Sequence, residues 1–268
     1  MLNLSAATRA LIVALLLALL SACAGSSAEQ ETETLPVDQL YAEAKSSLDN
    51  GNFERSIRYY KRLTSRFPFG DITEQAQLDL AYAQYRRAEY DDAISTVNRF
   101  IKTYPAHAKI DYAYYLRGLV NFDRNRSYID RLIPSQAGNR DQESARQAFN
   151  DFGEMLRRYP NSSYAPDARQ RMTYILNSLA EYEVHVARYY YSRGAYVAAI
   201  NRAQIAMTEY QNVPAIEDAL GILVNSYNAL GMDQLRDDAR RVLEKNYPKS
   251  LYLTQGFKSR TQPWWKLW

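Results

Sequence analysis

The chain has 268 residues, with 33 Lys and Arg against 30 Asp and Glu, a formal net charge of +3 at pH 7. So even a balance leaves no basic field for nucleic-acid phosphates, and 47% hydrophobic content with only ten glycines and nine prolines excludes a low-complexity chain. The single cysteine, Cys23, excludes an internal disulfide.

Arg9 precedes an apolar run from Ala10 to Leu20, shorter than the ~20 residues of a membrane-spanning helix. It ends Leu20-Ser21-Ala22-Cys23, which resembles a bacterial lipobox. That resemblance implies that residues 1–22 are a removable signal peptide and that Cys23 is acylated. The alternative is an ordinary secretory signal with an incidental cysteine. Ala24 follows rather than aspartate, which by resemblance to enteric-type sorting points to the outer membrane, on its periplasmic face. Several acyl chains at ~0.8 kcal/mol per buried methylene would anchor the chain stably. Residues 23–35 carry Glu29, Glu31 and Glu33 and no basic residue, the composition of a tether.

From Pro36 on, one pattern recurs five times. A pair of helical stretches ends in an aromatic residue: Phe67-Pro68, Tyr104-Pro105, Tyr159-Pro160, Tyr210-Gln211 and Tyr247-Pro248, at steps of 37, 55, 51 and 37 residues. Ahead of each ending lie a small residue in the first helix (Ala44, Ala81, Gly118, Ala187, with Val224 in the fifth), a Gly or Ala at the turn, and a small-plus-aliphatic pair such as Ser56-Ile57, Ala93-Ile94 and Ala199-Ile200. Proline stops the second helix. A repeat near ~34 residues with this grammar is the tetratricopeptide signature, so the expected fold is all-α: an α-solenoid of five tetratricopeptide-like helix pairs. In the fifth unit Leu235, Ala239 and Val242 set the apolar stripe one residue early, as terminal repeats often do.

Two units carry insertions. Residues 123–140 are polar and mixed in charge, with Pro134 and Gly138 as breakers, and read as a loop. The second surplus reads as helix, because no Gly or Pro interrupts Asp167 to Arg193. It predicts a continuous helix of roughly seven turns, a strut between front units one to three (36–160) and back units four and five (161–250). The tail, 251–268, holds all three tryptophans, Trp264, Trp265 and Trp268. It suits a membrane interface, a partner surface, or a cap on the last helix.

Catalytic motifs are missing from the pattern. His107 and His185 stand in different repeats, with no metal-ligand spacing, and there is no G-x-S-x-G or phosphate loop. Glu181 and Glu183 point away from each other on a helix. No cofactor, metal or enzymatic activity is expected. The first helices of stacked pairs line a concave side, and their exposed offsets fall at Tyr41, Leu48, Leu78, Tyr82, Tyr85, Tyr112, Tyr115, Leu119 and Phe122, with Lys45 and Arg86 at the rim. An aromatic groove with basic edges suits an extended peptide bearing aromatic side chains and a carboxylate; the same spacing also suits inter-helix core.

Phe67-Pro68-Phe69-Gly70, the stretch Gln77 to Tyr82, Ile110 to Leu119 and Arg188-Tyr189-Tyr190 before Arg193-Gly194-Ala195, with the lipobox and the repeats, resemble the BamD family of outer-membrane assembly lipoproteins. The likeness runs from Cys23 to Pro248; the tryptophan-ended tail departs from it. It implies a component of the β-barrel assembly machine that binds BamA and BamC and recognises the aromatic C-terminal signal of unfolded outer-membrane proteins. BamA would dock on the back half, where Val197, Asn201, Arg202 and Ile205 lie away from Ala199 and Ala203. On such a face Arg202→Glu is expected to weaken docking and leave melting unchanged. Another function stays open: an envelope-organising lipoprotein acting with peptidoglycan or the Tol–Pal system.

Overall fold

A computed structural model describes residues 34–124 and 139–255. Among them are eleven α-helices and no strand: α1 (Val37–Asp49), α2 (Phe53–Arg66), α3 (Asp71–Arg86), α4 (Tyr90–Thr103), α5 (Ile110–Asp123), α6 (Asn139–Arg158), α7 (Ala165–Ser192), α8 (Tyr196–Glu209), α9 (Ala215–Ala229), α10 (Asp233–Asn246) and α11 (Leu251–Gln255). The fold is all-α, made of helix pairs packed on their neighbours, as the repeats predict. Cys23, the segment 125–138 and the tryptophans of the tail lie outside the described residues.

The turn inside each pair shows why the repeat has its grammar. After α1, α3, α7 and α9 the chain turns through one left-handed residue: Gly51 at φ +76°, Ala88 at +64°, Gly194 at +72° and Gly231 at +69°. Each turn closes with the same two backbone bonds. Gly51 N–H donates to Leu48 C=O and Asn52 N–H to Ser47 C=O; Ala88 and Glu89 repeat this onto Tyr85 and Gln84. That is a Schellman closure, in which glycine carries no Cβ penalty and Ala88 does.

The second helix of each pair ends alike too. Phe67, Tyr104 and Tyr210 all sit at φ −125°, and each donates its N–H to the carbonyl four residues back. Tyr210 does so with glutamine after it, so the proline reinforces the stop without being needed for it.

The chain divides into two compact units, 1–120 and 121–268, whereas the repeat pattern put its front and back halves on either side of 160. In the first unit Leu40, Ala44, Tyr60, Leu63, Ala76, Leu80 and Ala83 form one core. In the second, α6 packs on α7 and α7 on both α8 and α9. The predicted long helix is α7, 28 residues without a break, with Pro166 in its first turn, where a missing N–H costs nothing.

One expectation for the fifth unit is corrected. In α10 the buried residues are Ala239 and Leu243, while Leu235 and Val242 are 46% and 41% exposed. Leu243 stands where Leu63, Phe100 and Ala206 stand in other units, four residues before the terminal aromatic, so the repeat register is kept.

Candidate interaction surfaces

In the first unit a carboxylate organises the aromatic residues. Asp79 on α3 accepts from Tyr41 Oη at 2.9 Å, from Tyr60 Oη at 3.3 Å and from Gln75 Nε2 at 2.7 Å. Lys109 Nζ donates to Gln75 Oε1 at 2.8 Å. Burial, then the charge of Asp79, pushes the Tyr41 and Tyr60 hydroxyls well above the ordinary tyrosine range. Both therefore act as fixed donors tying α1 and α2 to α3.

Two helical turns along α3, Arg86 forms a second focus. Its guanidinium lies 4.8 Å from the Phe53 ring centroid and 5.7 Å from that of Tyr82, and its Nη1 donates to Tyr82 Oη at 2.8 Å. Tyr85 lies 6.3 Å from Tyr82 and 6.4 Å from Tyr90, centroid to centroid. The result is an aromatic patch capped by an exposed cation, with Tyr82 and Phe53 also packed on the core below. Lys45, expected at the rim, is ion-paired with Asp49.

The expected groove residues separate into two sets. Tyr41, Tyr82, Tyr85 and Tyr112 are half-buried and reach the surface. Leu78 is fully buried, and Leu48, Tyr115 and Leu119 are 7–8% exposed, which takes them off the surface that a peptide can reach here. The reason is the 3.6-residue period: on a first helix clasped from several sides, a position one step from an exposed one already turns inward. Phe122 packs within the second unit, 5.8 Å from Tyr174 and 6.4 Å from Phe152 by ring centroids, with the Arg171 guanidinium 5.0 Å from its ring.

In the second unit the expected partner strip on α8 is open: Val197 is 60% exposed, Asn201 is exposed and Ile205 is half-buried. Arg202 differs from its expected role as a free surface charge. Its Nη1 donates to Glu183 Oε2 at 3.1 Å, and the Glu183 side chain is only 3% exposed. Arg202 is thus the lid on a buried carboxylate, so the expectation that Arg202→Glu leaves melting unchanged is corrected: it would set a second negative charge against a buried one. Arg146 on α6 adds positive charge nearby, donating to Glu209 at 3.1 Å and to Tyr210 Oη at 2.6 Å.

Reading Glu181 and Glu183 only as carboxylates that point away from each other missed this pair. The signal was its spacing: Leu179, Glu183 and Ala187 step along one helix face at i, i+4, and both neighbours are buried. A carboxylate on that stripe requires a cation from a facing helix.

A third polar cluster joins the start of the tail to this unit. Asp218 on α9 pairs with Arg188 at 2.5 Å and accepts from Tyr252 Oη. The Tyr252 ring lies over Gly221, where an added Cβ would come within 2.5 Å of Tyr252 Cγ. The first turn of the tail thus packs on α7 and α9.

Among the described residues no group of three His, Cys, Asp or Glu could hold a metal ion, and no helix is long and apolar enough to cross a membrane. Residues 33–254 match the family described as YfiO, outer membrane lipoprotein. The chain is 44% identical over 253 residues to the outer membrane protein assembly factor BamD of Neisseria meningitidis serogroup A, covering 93% of this chain and 95% of that protein. It is 40% identical to the factor of that name from Xylella fastidiosa Temecula1, over 90% and 84%, and 37% identical to that of Vibrio cholerae, over 87% and 95%.

Proposed function

Because the chain belongs to the YfiO family of outer membrane lipoproteins, whose curated relatives are BamD assembly factors, we propose that it is a non-enzymatic adaptor: it binds unfolded outer-membrane protein clients with its first unit and docks BamA with its second. A role in outer-membrane protein assembly follows from the family itself; client and partner sites are the finer step. Acylated Cys23 holds the adaptor on the periplasmic face of the outer membrane, and BamC is a further partner.

The observation that carries the client reading is the cation over the aromatic patch. Arg86 spreads over Phe53 and Tyr82, with Tyr85 and Tyr90 extending the surface. A peptide ending in an aromatic residue offers a ring for Tyr82 and Tyr85 and a terminal carboxylate for the Arg86 fork. For the partner, the α8 strip offers exposed Val197 and Asn201 beside Arg202, an apolar anchor next to a positioned charge.

The test is Tyr82→Ala with Tyr85→Ala, titrated with a labelled peptide ending in phenylalanine. Each lost ring contact costs about 1–2 kcal/mol, so the pair lowers affinity by about thirtyfold to several hundredfold. Tyr115→Ala is the control: that ring is buried, and its loss lowers melting before it touches binding. A double variant that melts near wild type and binds the peptide undiminished overturns the client site.

A further inference from the structure

On the opposite face of α3 from Tyr82 and Arg86 the first unit holds a cleft that the proposed client site does not use. It lies over α3, between α2 and α4, with a volume of about 510 Å³, inside the ~300–1,000 Å³ typical of ligand clefts. Its floor is Gln77, Leu80 and Gln84, which share one helix face by their spacing. Its walls carry hydroxyls such as Thr64 and Ser95, with Lys61, Asp92 and Arg99 near the mouth.

Two features of the floor are unsatisfied. Gln84 is 2% exposed, and its Oε1 has no hydrogen-bond partner. Gln77 Oε1 is buried and equally unpartnered, although its Nε2 donates to Tyr104 Oη at 3.4 Å. A buried amide oxygen without a donor is unfavourable, and native folds seldom leave one unmatched. Here two of them meet a cleft open to solvent, so the group that the cleft lacks is a pair of N–H donors.

Spacing selects the kind of donor. Seven residues along an α-helix advance ~10.5 Å, about three residues of extended chain at ~3.1–3.4 Å each. Leu80 between the amides gives an apolar step for an intervening side chain. At the mouth Lys61 and Asp92 face each other at 4.0 Å, whereas Arg99 is exposed and makes no ion pair among the described residues. No aromatic ring lines the cleft, so a sugar has no face on which to stack. We propose that this cleft binds an extended peptide segment carrying a carboxylate side chain, with backbone N–H groups on Gln77 and Gln84 and the carboxylate on Arg99.

The experiment uses the full chain in detergent and fluorescence anisotropy of a labelled octapeptide, Gly-Ser-Val-Asp-Ser-Val-Ser-Gly. Two companions share its length: one with backbone esters replacing two central amides, and one with lysine for aspartate. The first is expected to bind saturably below about 1 mM, with the ester and lysine forms about tenfold weaker or worse. Gln84→Leu should lose about tenfold in binding while melting as high as wild type or higher, because it removes an unmatched buried amide. Arg99→Glu should transfer the preference to the lysine peptide. Tyr82→Ala with Tyr85→Ala should leave all of this unchanged, which keeps the inference separate from the client site. Equal binding of the ester form, no saturation by about 1 mM, or displacement by a chitin tetrasaccharide would overturn it.

Discussion

Replacing Arg202 with alanine removes the only ion-pair partner of Glu183 among the described residues, a side chain 3% exposed. Stranding a buried charge costs about 3–5 kcal/mol when nothing else compensates. Two features of the second unit reduce that figure. The Arg202 side chain is 40% exposed, so water reaches the space it vacates, and Arg146 still acts on Glu183 through space. About 1.5–3 kcal/mol is then the expected loss, a fall in melting temperature of roughly 3–12 °C at the ~2–4 °C per kcal/mol of a unit this size. Circular-dichroism melts of Arg202→Ala, Glu183→Gln and the double variant test it. Glu183→Gln removes the charge that needs the partner, so the double variant should regain half or more of the loss. An Arg202→Ala protein melting within about 1 °C of wild type, or a double variant no better than the single, would refute the reasoning. The result also governs the docking assay, where Arg202→Lys, which keeps the charge and loses the fork, is the cleaner probe.

Ala88 occupies the left-handed turn position that glycine holds in three sister units; Ala88→Gly should therefore gain about 0.5–1 kcal/mol by relieving Cβ strain, net of added unfolded-state entropy, read as a higher denaturation midpoint. The first unit should also weaken at alkaline pH. Burial and Asp79 raise the folded Tyr41 and Tyr60 hydroxyls, so their contribution is complete below about pH 10, where unfolded tyrosines begin to ionise, and is lost as pH climbs above it. Tyr60→Phe removes one such group, and its stability should fall by about 1 kcal/mol less than wild type between pH 10 and 11, measured by urea titration; identical slopes would count against the linkage.

Helix pairs were legible because the repeat writes its turn chemistry into residue types: Gly51, Gly194 and Gly231 mark left-handed turns, and the terminal aromatics mark helix ends. The long helix α7 was legible from the absence of any breaker. Surface and core were harder to separate. Leu78 and Tyr82 lie one turn apart on α3, yet one is fully buried and the other half-exposed, because contacts from α1, α2 and α4 decide burial and periodicity cannot count them. For pairs across helices the spacing of Glu183 showed that a cation was required, but not which residue supplies it. Arg202 and Glu183 are 19 residues apart and Tyr41 and Asp79 are 38 apart, and no local pattern links them.

Those long-range pairs bear on how both proposed surfaces work. Arg202 can meet a partner only along directions that Glu183 permits, since the buried carboxylate holds one face of its guanidinium. Tyr41 likewise reaches the surface with its hydroxyl fixed to Asp79, which also holds Tyr60 and Gln75. Fixing a surface side chain from beneath removes rotamer freedom before a partner arrives, so less is lost on binding. Side chains that never touch a client or partner therefore contribute to affinity through the residues they hold. Alanine scanning of exposed positions alone would miss Asp79 and Glu183, and would assign to Tyr41 and Arg202 an energy that belongs to each pair.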